Sequence, residues 1–320
     1  MNKSAMTGSA AIAAQRRYRG VYPILYAFFD AAGRIDHRAM EAQVEHCIGA
    51  GAHGIAVLGL VTEVHRMTTA ERQEVVELVG GLIGGRVPYA VTIAEHDPAA
   101  QIAFAEMAAR CGADWVILQP PPGKGHGEAD LQRHFGAIAD AVSLPVAIQN
   151  NPVNLDSHLS PEGLTAVIRR HANIRILKAE GWSVDIARVL DSVEGSVDAF
   201  GGHGGLEFIS LIRSGGAGLI PAPDCLAIQV AMFDALTSGD EAAVQRAGAL
   251  HQAILPLVVF MTRSIPGLLV YGKRLMAERL GLEQVFDREG LPAPTAFGLS
   301  EMRRLYADVL AAERALPSKA

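Results

Sequence analysis

From residue 18 onward, short apolar runs alternate with longer stretches in which apolar positions recur every three or four residues. The runs cover 21–28, 54–59, 89–94, 115–119, 145–150, 174–179, 196–200 and 218–222, and their length and content predict buried strands. Between them the spacing predicts helices over 36–50, 69–82, 98–111, 128–142, 160–170, 183–190 and 206–214, with another after Pro223. In the first, Met40, Val44, Cys47 and Ile48 mark one face. The fifth opens Ser160-Pro161-Glu162, a capping residue followed by proline at the first helical position. Eight strand–helix units ending near residue 235 predict an α/β fold, a (β/α)8 TIM barrel. The alternative is an open doubly wound sheet, but Phe28-Phe29-Asp30-Ala31-Ala32-Gly33 after the first strand does not follow the GxGxxG pattern. Residues 238–315 carry no strand pattern and predict helices over 240–255, 257–280 and 300–315, the middle one broken at Pro266-Gly267, with a loop over 281–297. The chain therefore divides into a loose segment 1–17, a barrel 18–236 and a C-terminal helical extension 237–320.

Composition narrows the function classes. Half of the 320 residues are hydrophobic and 19% are charged, which excludes wholesale disorder. A net charge of −6 and a pI near 6.0 supply no general attraction for nucleic acid or an anionic membrane. The apolar run 254–261 contains Pro256 and falls far short of the roughly 20 residues that cross a bilayer. The N-terminus lacks the continuous apolar core of a secretion signal. Cys47, Cys111 and Cys225 are odd in number and far apart, which argues against a disulfide framework or a zinc site and for a reducing, cytoplasmic setting.

In such a barrel the reactive groups lie where the strands end. Those ends are Gly59-Leu60-Val61-Thr62-Glu63, Gln149-Asn150-Asn151-Pro152, Lys178-Ala179-Glu180-Gly181, Gly201-Gly202-His203 and the stretch through Ile220. Of the lysines Lys3, Lys124, Lys178, Lys273 and Lys319, only Lys178 closes a strand that should be buried; the others sit where a solvated ammonium is cheap. Burial drives an amine toward its neutral form, and a neutral amine attacks a ketone. Two readings of Lys178 stay open on this ground: a Schiff-base nucleophile, or an ion pair with Glu180 or Glu63 that ties strand ends together. Glu180, two residues on, projects to the same side of an extended strand and could move protons beside an imine. Glu63 could equally anchor the loop after strand two. His65 and His203 are weaker acid candidates, and no spacing of His, Asp, Glu or Cys suggests a metal.

The ordered set of motifs resembles the dihydrodipicolinate synthase/N-acetylneuraminate lyase superfamily of class I aldolases and dehydratases over about residues 18–315. The motifs are the opening strand through Tyr22-Pro23, the G-x-x-x-E block at Gly59 to Glu63, Thr68-Thr69-Ala70-Glu71-Arg72, Leu144-Pro145-Val146, the lysine strand and the turn from Gly215 to Gly218. The resemblance implies a Schiff base on Lys178 with a 2-oxo acid, no cofactor, and a homo-oligomer, a tetramer built from dimers. The chain departs from the superfamily's usual pattern at two places. Leu60 and Val61 stand where two threonines are usual, and Gln149 stands where a proton-carrying tyrosine is usual. These changes point away from dihydrodipicolinate synthesis and neuraminate cleavage. With the K-x-E arrangement they resemble the branch of 2-keto-3-deoxy-sugar-acid dehydratases of the L-2-keto-3-deoxyarabonate type. The expected site has Lys178 and Glu180 as catalytic groups. Val61, Thr62, Glu63, Gln149, Gly202, His203 and Ile220 bind substrate, with amides near Val61 and Thr62 holding the carboxylate. The alternatives are aldol cleavage or condensation on the same imine, and a non-catalytic barrel that only binds a 2-oxo acid.

Overall fold

The structure is a computed structural model that describes residues 18–317, so the expectation for 1–17 lies outside the described residues. Eight strands alternate with helices: β1 (Gly20–Val21), α1 (His37–Gly49), β2 (Ile55–Val57), α2 (Thr69–Ile83), β3 (Tyr89–Ile93), α3 (Pro98–Arg110), β4 (Trp115–Leu118), α4 (Glu128–Ala141), β5 (Val146–Asn150), α5 (Pro161–Arg170), β6 (Ile174–Ala179), α6 (Ser183–Ser192), β7 (Asp198–Gly201), α7 (Phe208–Arg213) and β8 (Gly218–Leu219). Every strand pairing is parallel, in the order β1-β8-β7-β6-β5-β4-β3-β2. The ring closes where Ile24 bridges Ala56 in parallel, supported by the Leu25 amide on Ala56 O and the Ala56 amide on Pro23 O. The eight apolar runs are thus the eight strands of one parallel barrel, and the open-sheet alternative fails.

Several strands are shorter than the runs that predict them. In the first, Pro23 removes a donor, and the backbone then leaves the ladder because the buried Gln43 side chain takes both the Tyr26 amide and its carbonyl. In the last, Pro221 brings no donor, so after Ile220, whose amide reaches Gly201 O, only the Pro221 carbonyl still pairs, taking the Ile24 amide. The seventh begins at Asp198, not 196, because Glu194 and Gly195 turn in the left-handed region. The β1–β8 seam is tight: a Cβ on Gly218 would lie 1.9 Å from Gly20 O, so only glycine fits there.

Helix starts follow the sequence closely. Asp36 caps α1, Thr68 and Glu71 form a capping box on α2, and Ser160 caps α5 ahead of Pro161. After β8 come α8 (Leu226–Thr237), α9 (Glu241–Thr262), α10 (Ile265–Gly267), a π-helical turn (Leu268–Gly272), α11 (Lys273–Leu280) and α12 (Ala296–Arg314). Here the breaks differ from expectation. Pro256 lies inside α9 and does not end it. The chain breaks at Ser264, whose hydroxyl caps Gly267, and Pro266 sits in the first turn of α10, where a proline costs no hydrogen bond. By length and apolarity α9 meets the measure of a membrane span, which the run 254–261 alone does not. In this fold it packs on α8 and α12, and Leu257, Val258 and Met261 face inward and are buried.

Candidate active site

The geometry begins at β6. Gln149 on β5, Lys178 on β6 and Phe200 on β7 are register neighbours, so the first two side chains stand beside each other at the strand ends. The ladder continues one residue past β6, because the Glu180 amide donates to Asn150 O at 2.9 Å. That extension puts Lys178 and Glu180 on the same side. Lys178 is 3% exposed and Glu180 8%, and Lys178 Nζ lies 3.7 Å from Glu180 Oε2.

The Glu180 carboxylate is held from one side. Gln149 Nε2 donates to Oε2 at 2.6 Å and Asn151 Nδ2 donates to the same oxygen at 3.0 Å. Gln119, just past β4, donates from Nε2 to Gln149 Oε1 at 3.1 Å. That bond turns the Gln149 amide so that its donor faces Glu180. Asn151 Oδ1 in turn accepts from the amides of Val153 and Asn154, and Asn154 Nδ2 meets His203 Nε2 at 3.2 Å. The other Glu180 oxygen lies over Gly202, where a Cβ would sit 2.3 Å from Oε1. Two amide donors and the ammonium on one oxygen, and a bare glycine beneath the other, leave Oε1 available to a ligand.

A cavity opens on this pair. Val61, Lys178, Glu180, His203 and Ile220 line it, as do Asn151, Asn154 and apolar residues of α9. Gln149 and Gly202 touch Glu180 without lining the cavity. Thr62 and Glu63 do not line it either. The Thr62 hydroxyl donates to Leu25 O at 2.7 Å and its amide to Gly59 O at 3.0 Å, so both are committed within the fold. The amides of Glu63 and Val64 are likewise taken by Leu60 O and Gly59 O. Of the expected carboxylate-holding amides, that leaves Val61.

Glu63 is turned away from the cavity and engaged elsewhere through Oε1, while Oε2 has no hydrogen bond and lies 3.9 Å from Arg66 Nε. It adopts a left-handed backbone, and Lys273 Nζ donates to its Oε1. Lys273 is 0% exposed, with Asp287 3.8 Å from its ammonium and the Phe29 ring beneath it at 5.2 Å. The expectation that only Lys178 is a buried lysine is therefore corrected. The helical pattern around Lys273 hides that its partner comes from the loop after β2, 210 residues earlier. His65 does not line the cavity; burial and the neighbouring Arg72 push its pKa down.

Another buried carboxyl borders the cavity. Asp224 accepts from the Tyr26 hydroxyl at 2.8 Å, and burial raises its pKa to about 6 against the lowering effect of that bond. Among the described residues no three His, Cys, Asp or Glu side chains gather as a metal site. The sequence does not single out Gln119, Asn151 or Asn154. The rule that strand ends carry the site would nominate Gln119, the last residue of run 115–119.

Known proteins share this fold and parts of this sequence. The model of the dihydrodipicolinate synthetase family matches residues 17–285. The 4-hydroxy-tetrahydrodipicolinate synthase of Methanococcus maripaludis is 26% identical over 254 residues, which is 78% of this chain and 86% of the relative. That of Agrobacterium fabrum is 29% identical over 252 residues, 74% of this chain and 83% of the relative. Among solved structures, the sialic acid aldolase of Ruminococcus gnavus superposes with a TM-score of 0.84 at 20% identity, covering 93% of this chain and 99% of its own. The 4-hydroxy-tetrahydrodipicolinate synthase of Methylacidiphilum fumariolicum SolV gives 0.85 at 21%, covering 92% and 97%.

Proposed function

The chain belongs to the dihydrodipicolinate synthetase family of class I Schiff-base lyases and aldolases, and from that premise we propose that it dehydrates a 3-deoxy-2-oxo acid carrying a C4 hydroxyl, the class that includes the 2-keto-3-deoxy sugar acids. The observation that carries this reading is the Lys178–Glu180 pair at 3.7 Å, with Glu180 Oε2 pinned by Gln149 and Asn151. Lys178 Nζ adds to the C2 ketone and water leaves, giving an iminium. The Val61 amide takes part in holding the carboxylate, a positioning task that preorganised donors perform well. Glu180 Oε1 takes the C3 proton, and the electron pair flows into the iminium to form an enamine. The enamine expels the C4 hydroxyl, which leaves as water with that proton. Water then adds at C2 and frees an unsaturated 2-oxo acid and the amine. The covalent imine is the electron sink, so the steps call on no cofactor, and EDTA is expected to leave turnover unchanged.

Lys178→Arg is expected to abolish turnover, since a guanidinium stays protonated and does not add to ketones. Glu180→Gln is expected to retain imine formation while losing about 10²-fold or more in turnover. Product analysis separates the readings. An unsaturated 2-oxo acid or its tautomer supports dehydration, and pyruvate with an aldehyde marks aldol cleavage. Imine formation without any turnover marks a binding protein. The same proposal includes a cytoplasmic homotetramer, and a single monomeric species in light scattering at micromolar concentration would contradict that assembly.

A further inference from the structure

The cavity has two unlike sides, and the difference bears on the substrate beyond C4, provided that Lys178 forms the imine as proposed above. Its polar side comes from the ends of β5 to β7: Lys178, Glu180, Asn151, Asn154 and His203. The facing side comes from Leu60 and Val61 after β2 and from Leu257, Val258 and Met261 of α9. Helix α9 reaches across to the polar side, since a Cβ on Gly204, next to His203, would lie 2.9 Å from Val258 Cγ1.

The polar side chains on the α9 side are each tied into the fold through at least one hydrogen bond. Thr262 Oγ1 donates to Val258 O at 2.8 Å, and Ser264 Oγ caps Gly267. Gln229 Nε2 donates to Gly204 O, and Asp224 is tied to Tyr26. Two buried acceptors remain without partners, Gln229 Oε1 and Asp224 Oδ1. They can take two hydroxyls at most, one each, not a chain of them. A further hydroxyl against Leu257, Val258 or Met261 would lose its water without gaining a partner, which disfavours its binding. Charge adds a second restriction. Among the described residues lining the cavity, Lys178 is the sole cation, so a distal carboxylate or phosphate has no counter-ion.

We propose that the substrate is a monoanionic 4-hydroxy-2-oxo acid whose C4 substituent is an alkyl or aryl group, and that Leu257, Val258 and Met261 select it. An apolar group of that size packs on this wall where a hydroxymethyl or carboxyl group does not. The same polarity favours such acids over their polyhydroxylated counterparts within the dehydration proposed above.

The test is a matched series of 4-hydroxy-2-oxo acids that differ only in the C4 substituent: isopropyl, phenyl, hydroxymethyl and carboxyl. Each is assayed for kcat/KM and for half-saturation of borohydride trapping at Lys178, with pyruvate as the common reference. The expected result is at least a tenfold preference for the isopropyl or phenyl member over hydroxymethyl, and weaker use still of carboxyl. Met261→Gln, similar in size, is expected to cut that preference at least threefold while pyruvate still traps at Lys178. Equal or better use of the hydroxymethyl or carboxyl member, with pyruvate still trapped at Lys178, overturns the substrate proposal and leaves the imine reading standing. Absence of trapping with every member overturns both.

Discussion

Glu180 meets Gln149, Asn151 and Lys178 through a single oxygen, and the proposed mechanism depends on the other oxygen staying uncovered. Gly202 is what keeps it so: its backbone is not left-handed, so the demand for glycine is one of space alone. Gly202→Ala places a methyl group against the carboxylate without altering any ionisable residue. It is expected to lower kcat about 10²-fold while pyruvate still traps at Lys178, a split read by steady-state kinetics beside mass spectrometry. Asp224 gives a residue-scale prediction in pH. Its folded carboxyl, raised to about 6, binds its proton more tightly than the unfolded one near 3.8. The stability it contributes is therefore full below about pH 4 and is lost as pH rises to about 6. Above that, the fold carries a buried carboxylate. Asp224→Asn keeps the acceptor for Tyr26 and removes the charge. It is expected to be more stable than the parent at pH 8 by on the order of 1–3 kcal/mol and equal near pH 4, as measured by urea unfolding. At this scale Lys178 and Glu180 are legible in the sequence because one apolar strand and a two-residue spacing place them. Gln119 and Asn151 are not, because an amide's role depends on which neighbour turns it, and that neighbour is 30 residues away in the Gln119–Gln149 bond.

Elements near the site are fastened by charge as much as by apolar packing. Helix α11 reaches the loop after β2 through Lys273 and Glu63, both fully buried at the side chain, and Arg274 holds Asp287 at 2.6 Å beside them. Arg288 joins the following loop to Glu71 in the capping box of α2 and to Arg66 O, while Arg66 reaches back to Glu289 O. Lys273→Met leaves Glu63 buried without a hydrogen-bonded partner, its remaining cation being Arg66 Nε at 3.9 Å, and is expected to cost about 3–5 kcal/mol in chemical denaturation. Lys273→Met with Glu63→Gln is expected to recover a good part of that loss. A loss below about 1 kcal/mol for the single change would mean Glu63 reaches water. Helix boundaries are readable where caps announce them, as at Asp36, Thr68 and Ser160. They are not readable in the extension, where Pro256 is carried inside α9 by a helix anchored through buried Leu257, Val258 and Met261. Proline marks a break only when burial on either side does not outweigh the lost hydrogen bond.

For the whole molecule, the alternation of apolar runs and helical stretches is enough to specify a closed parallel barrel, because a parallel sheet must be covered on its outer face by the helices that connect it. What the alternation does not carry is the roof of the site. Helix α9 reaches the cavity from beyond the eighth unit, and its contribution depends on a packing angle that no periodicity encodes. The two departures at the strand ends also have whole-molecule consequences. Leu60 and Val61 supply no hydroxyl, the Thr62 hydroxyl is spent on Leu25, and Gln149 is committed to Glu180. Condensation of pyruvate with aspartate semialdehyde is therefore expected to be absent or at least about 10²-fold below an ordinary enzymatic rate. A normal rate of dihydrodipicolinate formation would mean that those departures carry no functional weight. The mechanism rests most directly on which amine meets the ketone. Incubation with pyruvate and borohydride, followed by peptide mass spectrometry, is expected to place the reduced three-carbon adduct on Lys178 and to leave Lys273, the other buried lysine among the described residues, unmodified. An adduct on Lys273, or none on Lys178, would contradict the mechanism.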